Sequence, residues 1–344
     1  MKTGVGYALA GAALFGASIP VAKLLVGRIE PVMLAGLLYA GAGLGLSAFM
    51  GMRSAAPGAQ TAPLAAGDYR WLAGAVLSGG VIGPVLLMLG LAATSASAAS
   101  LLLNLEGVFT ALLAWFAFRE NFDRRILFGM FLIVCGGALL GWRPGDPSFS
   151  WPALAIAAAC LCWAIDNNLT RKISSGDAVK IAAIKGLVAG AVNLSIAAAL
   201  GSALPALRDA AAATAVGLAG YGISLVLFIV ALRHLGTART GAYFSTAPFM
   251  GAALSFVLLG ETPDAAFWMA AALMGAGVAL HLTERHEHPH IHNLVTHAHA
   301  HVHDEHHQHR HDFAGDEPHT HPHTHEPVRH HHPHYPDTHH RHDH

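Results

Sequence analysis

The chain has 344 residues, of which 53% are hydrophobic and only 12% are charged, and this balance excludes an ordinary soluble domain. The formal net charge of −1 hides a division, because 17 Lys/Arg and 12 Asp/Glu precede His286 whereas only 3 Arg but 9 Asp/Glu come after it. Neither part has the Lys/Arg-rich stripe with interleaved aromatic residues that nucleic acid binding requires, so nucleic acid is not an expected partner.

Ten apolar runs are long enough to cross a bilayer, which takes about 20 mostly apolar residues. They lie at residues 4–27, 31–51, 70–91, 95–118, 125–142, 151–170, 178–200, 211–233, 238–259 and 263–283. A short polar linker, 143–150, separates the fifth run from the sixth. The sequence therefore predicts an all-α integral membrane protein with ten transmembrane helices.

The loop charges indicate the orientation of these helices. With a cytoplasmic N-terminus, thirteen Lys/Arg of the body fall on the cytoplasmic side and four fall outside. The positive-inside rule favours this orientation in the cell (inner) membrane. Because the number of spans is even, the C-terminus is then expected in the cytoplasm as well.

The two halves of the body are related in sequence. Phe109–Glu120 is similar to Met250–Glu261, and in both stretches a helix ends at a glutamate. A weaker match pairs an aromatic residue with a cation eight residues later, Phe15 with Lys23 and Trp163 with Arg171. Five spans is an odd number, so the second copy enters the membrane in the opposite orientation. This predicts two inverted five-helix repeats.

The same stretches resemble the EamA-type repeat of the drug/metabolite transporter superfamily, over about residues 4–283. The similarity is carried in the second half by Ala231–Ala238, Ser245–Phe249 and Gly260-Glu261, and in the first by Leu91–Ala96, Asn104–Phe109 and Arg119-Glu120. The first half departs from the family pattern at Gly107, where proline is usual, and at Arg119, where glycine is usual. The resemblance implies repeats at 1–142 and 151–284 and a secondary carrier that moves small metabolites, often outward, by alternating access.

Polar groups inside the spans are the candidate substrate or coupling residues, because a charge at a helix centre costs at least about 2.5–3.5 kcal/mol. Glu106 is the deepest, with Thr110 one turn further on the same face and Asn104 on a neighbouring stripe. Glu106 either lines the cavity and couples proton movement to substrate, or is a neutral structural carboxyl paired with an asparagine.

A second polar cluster, Asp166 to Asn168 with Asn167 between them, lies about one turn from the cytoplasmic end of the sixth span. Arg171 and Lys172 are placed to neutralise the aspartate there. The cluster is either an interfacial ion pair or a substrate contact at the repeat interface. These alternatives stay open at the level of sequence.

Three further features complete the candidate set. Lys23 near the outer end and Lys185 near the inner end are cations for which snorkelling is as good an account as function. Pro248 interrupts the hydrogen-bond ladder of the ninth span, and Ser245 and Thr246 lie beside the freed carbonyls. A kink that acts as a gate is expected there.

The segment 285–344 is a histidine-rich tail. It holds 24 of the 26 histidines, often at every second position. The candidate metal ligands are His286, His288, His290, His292, His297, His299, His301, His303, His319, His321, His323 and His325. Neutral imidazoles bind Zn, Ni, Co or Cu, while prolines and charges with few apolar residues predict disorder. The tail is therefore predicted to be a disordered metal-binding segment, whether or not that binding has a physiological role.

These features favour a metabolite carrier, most simply an exporter, whose cytoplasmic tail binds divalent metal ions and which requires no cofactor. The alternatives are a divalent metal-ion exporter and a membrane-tethered metal store or sensor that transports nothing. No nucleophile–base pair or phosphate loop occurs in the helices, so an enzyme is not expected. The expected partners are the lipid bilayer, a small-molecule substrate and divalent metal ions; the oligomeric state stays open, with a homodimer as one alternative.

Overall fold

The computed structural model describes residues 2–54, 66–118, 124–143, 146–174, 176–283, 287–291, 295–301, 319–325 and 329–333. The α-helices are α1 (Lys2–Val26), α2 (Pro31–Ser54), α3 (Asp68–Ala75), α4 (Gly83–Ala92), α5 (Ala96–Leu102), α6 (Leu105–Phe118), α7 (Arg124–Gly141), α8 (Trp151–Ile173), α9 (Ala178–Ala199), α10 (Leu207–Gly217), α11 (Ser224–Phe244), α12 (Ala247–Leu259) and α13 (Ala265–Leu282). Two π-helical segments, Val76–Ile82 and Leu218–Ile223, join α3 to α4 and α10 to α11.

Ten helical stretches of the described chain are long and apolar enough to cross a membrane. They are Thr3–Val26, Pro31–Arg53, Asp68–Ala92, Ala96–Leu113, Arg124–Gly141, Trp151–Ile173, Ala178–Ala199, Leu207–Leu232, Arg239–Leu259 and Ala265–Leu282. Helices suit the bilayer because they satisfy their own backbone hydrogen bonds. Each stretch overlaps one predicted run, so the ten-span prediction is confirmed.

The two halves interlock across the bundle. Helix α1 packs on α11 and α12, and α8, its counterpart in the second half, packs on α4 and α6. Helix α2 packs on α9, and α7 packs on α13. Reciprocal pairings of this kind are expected when two copies are related by a pseudo-twofold axis in the membrane plane. The prediction of two inverted five-helix repeats is confirmed.

Interruptions in the helices also recur in both halves. The π-helical segments fall in the third and eighth spans, and turns at 103–104 and 245–246 divide the fourth and ninth. A single extra residue per turn, or a local break, changes which side chains face the interior. Each half therefore has one π-helical segment and one turn at corresponding positions.

The crossing of α2 and α9 depends on close backbone approach. A Cβ atom added at Gly43 would lie 2.3 Å from the backbone N of Leu187, and one added at Gly186 would lie 2.4 Å from the backbone N of Gly43. Small residues commonly permit such contact between helices in membranes. By contrast, a Cβ added at Gly51 on α2 would meet no atom within 4 Å.

Short strands lie outside the spans. In the linker, β1 (Trp142–Arg143) pairs antiparallel with β2 (Asp146–Phe149). In the second unit, Arg285–His344, the described residues are four strands: β3 (Glu287–Ile291), β4 (Val295–His301), β5 (His319–His325) and β6 (Arg329–Pro333). Strand β3 pairs with β6, and β4 pairs with β5. The sequence analysis expected no regular structure there. Alternation of histidine with another residue has the period of two that suits an extended strand.

Candidate functional site

A cavity lies inside the bundle where the two halves meet. Its volume is about 70 Å³. Its wall is formed by Phe15, Tyr39, Glu106, Trp163, Asp166, Asn167, Lys185, Gly220, Tyr221, Ser224, Leu225, Phe228 and Phe244. The wall combines aromatic rings with three charged side chains, and both repeats contribute to it.

Glu106 enters this cavity from the first turn of α6, directly after the turn that divides the fourth span. Its Oε1 accepts a hydrogen bond of 2.7 Å from Asn167 Nδ2. Among the described residues, Asn167 is the single hydrogen-bond donor to this carboxylate, which leaves Oε2 available. Glu106 and Asn167 were assigned to separate clusters by the sequence analysis, and the structure brings them together across the repeat interface.

Asp166 is held in a compact ion pair. Lys185 Nζ donates to Asp166 Oδ1 at 2.6 Å and to Oδ2 at 2.8 Å. The Thr170 hydroxyl donates to Asp166 Oδ1 at 2.8 Å and accepts from Lys185 Nζ at 3.2 Å. Lys185 is only 2% exposed. At this depth each charge needs its partner, because an isolated ion in a low-dielectric medium is very costly.

This ion pair bears on two sequence-based expectations. For Lys185 the sequence left snorkelling and a function open, and the structure excludes snorkelling because Lys185 lies buried in the seventh span, paired with Asp166. Arg171 and Lys172 were expected to neutralise Asp166, whereas Lys185 on the neighbouring helix makes the close contacts. The reason is geometric: α8 and α9 are joined by a short connection and run antiparallel, so residues 19 positions apart face each other.

The other polar residues of the predicted clusters connect helices around the cavity instead of lining it. Asn168 Nδ2 donates to the carbonyls of Ala164 at 2.9 Å and Thr110 at 3.3 Å. Asn104 Nδ2 donates to the Leu101 carbonyl at 3.1 Å. The side-chain oxygens of Asn104, Thr110 and Asn168 are buried and have no hydrogen-bond partner among the described residues. These residues support the interrupted fourth span and its contact with α8.

The aromatic part of the wall was not predicted as a site. Phe15 and Trp163, which the sequence analysis used only as markers of the repeat, meet edge to face with ring centroids 5.8 Å apart. Phe15 also lies 5.8 Å from the Tyr221 ring. Tyr39 and Trp163 both donate to the carbonyl of Gly79, at 2.8 and 2.9 Å. The matched positions of Phe15 and Trp163 in the two repeats were the sequence signal that could have placed these two residues at the repeat interface.

The two π-helical segments pack on equivalent helices. A Cβ at Gly79 would lie 2.0 Å from Asp166 Oδ2, and a Cβ at Gly220 would lie 2.5 Å from Ser18 Cβ. Ser18 follows Phe15 by the same three positions that separate Asp166 from Trp163. The first half therefore has a hydroxyl where the second half has a carboxylate.

The ninth span is interrupted at 245–246, just before Pro248, and the hydroxyls of both turn residues bond back to carbonyls of α11. Ser245 Oγ donates to the Gly241 carbonyl at 2.9 Å, and Thr246 Oγ1 donates to the Tyr243 carbonyl at 2.7 Å. Pro248 lies in the first turn of α12, where its missing N–H costs least. None of these three residues lines the cavity. They lie at the helix break that directly follows Phe244 of the wall.

Lys23 also lies away from the cavity, at the turn between α4 and α5. Its ammonium donates to the carbonyls of Leu91 and Thr94, each at 2.6 Å. Glu261 accepts from the backbone N–H groups of Ala96 at 2.7 Å and Ser97 at 2.9 Å. We call Lys23 and Glu261 together the α4–α5 clamp. It fastens one turn of the first repeat to the end of the ninth span.

The candidate metal ligands of the tail are only partly within the described residues, because His286, His292 and His303 lie outside them. In the β4–β5 pair the register places His297 opposite His323, His299 opposite His321 and His301 opposite His319. His288 and His290 lie on β3, opposite His332 and His330, and His325 pairs with Val295. Across the described part of the chain, no group of three potential ligand side chains is close enough to hold a metal ion.

Comparisons with known proteins agree with this architecture. Residues 2–142 and 150–283 each match the EamA-like transporter family. An uncharacterized transporter of Methanothermobacter thermautotrophicus is 30% identical over 268 residues, which cover 72% of this chain and 76% of that protein. A crystal structure of another protein has the same fold, with a TM-score of 0.61 and 21% identity over 80% of this chain and 95% of the other. The two matched repeats, arranged around a shared cavity, establish that this chain belongs to the EamA-like transporter family.

Proposed function

We propose that this membrane transporter exports a small metabolite by alternating access and that Glu106 carries the coupling proton. The observation that supports this most directly is the position of Glu106 in a cavity between the inverted halves, beside the break in the fourth span. One of its carboxylate oxygens has no partner in the described part of the chain. Interrupted helices at a repeat interface are where secondary transporters commonly bind substrates and coupling ions.

The chemistry of coupling follows from the limited pairing of Glu106. In a largely apolar cavity within the membrane, an ionised carboxylate with one hydrogen bond from the described residues is costly. A proton or a substrate group relieves that cost, and the two compete for the same oxygens. Alternate occupancy by proton and substrate would link their movements in opposite directions. Asp166 is already neutralised by Lys185 and supplies no second exchangeable site.

This proposal can be tested without knowing the substrate in advance. Everted membrane vesicles that contain the protein and have an acidic lumen are given a ¹³C-labelled cell extract. The solutes that accumulate in the lumen are identified by mass spectrometry. We expect at least one labelled solute to accumulate severalfold above empty vesicles. Glu106→Gln should remove that accumulation, whereas Glu30→Gln, at an exposed carboxylate outside the cavity, should not. Equal accumulation and equal pH dependence in Glu106→Gln would contradict the coupling role.

We also propose that both termini are cytoplasmic and that the protein lies in the inner membrane. With Lys185 removed from the count because it is buried, the loop cations still favour this orientation by twelve to four. Fusions of a reporter that is active only in the cytoplasm, placed after Gly67 and after Gly201, test it. Activity at the first position alone is expected; activity at the second alone would reverse the orientation.

The histidine-rich tail supports a second candidate, divalent metal export, in which the tail captures metal for the body. We favour the simpler role, in which the tail binds Zn, Ni or Co and the body carries a metabolite. Fluxes of radiolabelled Zn²⁺, Ni²⁺ and Co²⁺ in proteoliposomes separate the two when full-length protein is compared with a truncation after Arg285. Flux that is reduced by truncation would support metal export. Absence of flux from both forms leaves the metabolite carrier or, if no solute moves at all, a metal store or sensor.

A further inference from the structure

We infer that the cavity selects compact organic cations that carry no carboxylate, with Glu106 as their counter-ion and the aromatic wall as their apolar contact. This inference rests on the proposed function, because it names the substrate class of the same cavity. Three properties of the wall carry it: its charge balance, its rings and its size.

The charge balance leaves one carboxylate available. Three charged side chains line the cavity, Glu106, Asp166 and Lys185. An ammonium group has three protons to donate, and three acceptor atoms surround that of Lys185: both carboxylate oxygens of Asp166 and the Thr170 hydroxyl. Lys185 and Asp166 therefore satisfy each other. With Glu106 ionised, the described wall has a net charge of −1.

This balance disfavours anions and zwitterions. A substrate carboxylate would have to take Lys185 from Asp166, which would leave a buried carboxylate without its cation. Separating a buried ion pair in this way is strongly unfavourable. An ammonium group, in contrast, finds the unpartnered oxygen of Glu106 without displacing any contact among the described residues. Binding of a cation thus gives Glu106 a counter-ion, whereas binding of an anion separates Lys185 from Asp166.

The rings suit the rest of such a substrate. Six of the lining residues are aromatic: Phe15, Tyr39, Trp163, Tyr221, Phe228 and Phe244. Aromatic walls attract ammonium groups through the ring quadrupole and also bury alkyl groups. Tyr221 is only 6% exposed, and its hydroxyl makes no hydrogen bond to any described residue. The Tyr221 hydroxyl is thus a further polar group of the wall, in addition to Asn167 and Ser224.

The size sets the scale of the substrate. A bound water needs a cavity volume of roughly 10–15 Å³. The 70 Å³ of the cavity therefore holds about five to seven non-hydrogen atoms in this conformation. Small alkyl amines and amino amides meet this limit.

Two pairs of equal-sized probes test the inference in the full-length protein, purified in detergent, by isothermal titration calorimetry. Isobutylammonium is compared with isobutanol, and alaninamide, as its cation, is compared with alanine. The members of each pair have the same number of non-hydrogen atoms and differ in charge. We expect the cation of each pair to bind at least tenfold more tightly. Equal affinity within both pairs, or tighter binding of alanine, would overturn the inference.

Variants assign the selectivity to one carboxylate. Glu106→Gln should abolish the preference for isobutylammonium over isobutanol, while Glu106→Asp should retain it. Glu30→Gln is the matched control, because it removes a carboxylate outside the cavity. Thermal unfolding of each variant verifies that it is folded. A preference that survives in folded Glu106→Gln would overturn the assignment.

The vesicle experiment distinguishes this inference from the proposed function. If the labelled solute that accumulates is an anion or a zwitterion, the substrate class is wrong while the metabolite carrier stands. If the calorimetric preference for cations is found but no solute accumulates, the cavity binds as inferred and the export proposal fails. If an amine accumulates and Glu106→Gln abolishes it, both are supported.

Discussion

At the scale of single residues, the polar groups of this protein depend on partners from other helices. The sequence could identify Glu106, Asp166 and Asn167, because polar residues are rare within apolar runs and are costly there. It could not assign the pairs Glu106 with Asn167 and Asp166 with Lys185. Those contacts arise from the packing of α8 against α6 and α9, which periodicity within one helix does not reveal.

The Asp166–Lys185 pair predicts a large effect on stability. Lys185→Met leaves the Asp166 carboxylate buried without a cation, and we expect it to lower the free energy of unfolding by about 3–5 kcal/mol, as for buried pairs in general. Thermal unfolding in detergent measures the change. Because the penalty comes from the uncompensated charge, Asp166→Asn combined with Lys185→Met should recover at least half of the loss. A double variant as unstable as the single one would mean that packing of the lysine stem, and not charge, is responsible.

Glu106 has a corresponding pH dependence in transport. If the proton and the substrate exchange at its carboxylate, the rate of solute exchange without a pH gradient should change with pH in the native protein. In Glu106→Gln the side chain cannot ionise, so any remaining exchange should be independent of pH over the same range. Counterflow of the solute identified in vesicles measures both profiles. Parallel profiles in the two proteins would exclude Glu106 as the titrating group.

At the scale of elements, the spans were predictable and their interruptions only partly so. Runs of about 20 apolar residues identify spans regardless of packing, and Pro248 marked the break in the ninth span. The turn at 103–104 contains no proline, whereas Pro84 follows the segment Val76–Ile82 in the first turn of α4. Within that segment, Gly79 allows close contact with the facing helix, which is a property of the packed bundle.

The α2–α9 crossing gives a matched pair of variants on one helix. Gly43→Ala places a methyl group against the backbone of α9, which cannot move aside cheaply, and should destabilise the protein by about 1–3 kcal/mol. Gly51→Ala meets no atom within 4 Å and should be neutral or stabilising, since alanine favours a helix. Thermal unfolding of the two variants measures the difference. Equal stabilities of the two variants would show that α2 and α9 can move apart at this crossing without loss of stability.

The α4–α5 clamp predicts local exchange behaviour. Hydrogen bonds to a charged group are worth about 1.5–3 kcal/mol, so Glu261→Gln should accelerate amide hydrogen exchange of Ala96 and Ser97 by roughly 10- to 100-fold. Mass spectrometry of a peptide covering residues 93–102 measures it. Peptides from α2 serve as an internal reference. Unchanged exchange would mean that the carboxylate does not hold this turn closed.

At the scale of the whole molecule, the inverted repeat could be predicted because an odd number of spans per copy requires it. The strand pairs in 285–344 could not be predicted, since composition indicated a segment without a core of its own.

The histidine-rich tail predicts zinc binding. Full-length protein should bind several Zn²⁺ at pH 7.5 and a truncation after Arg285 should bind few or none. Imidazoles take up protons near pH 6.5, so we expect the stoichiometry to fall on acidification to pH 5.5. Calorimetry measures both; retention of Zn²⁺ by the truncation would move the site to the body.

The difference between Ser18 and Asp166 bears on the resting state of the transporter. If the halves were identical, exchanging their conformations would interconvert two states of equal energy. Here the exchange is not degenerate, because the carboxylate and its lysine belong to one half and a hydroxyl replaces them in the other. A difference of about 1.4 kcal/mol would already populate one state tenfold over the other. We therefore expect one of the two states to be favoured at rest. Under the proposed coupling, the free energy of substrate or proton binding would add to this preference in one half of the transport cycle and oppose it in the other.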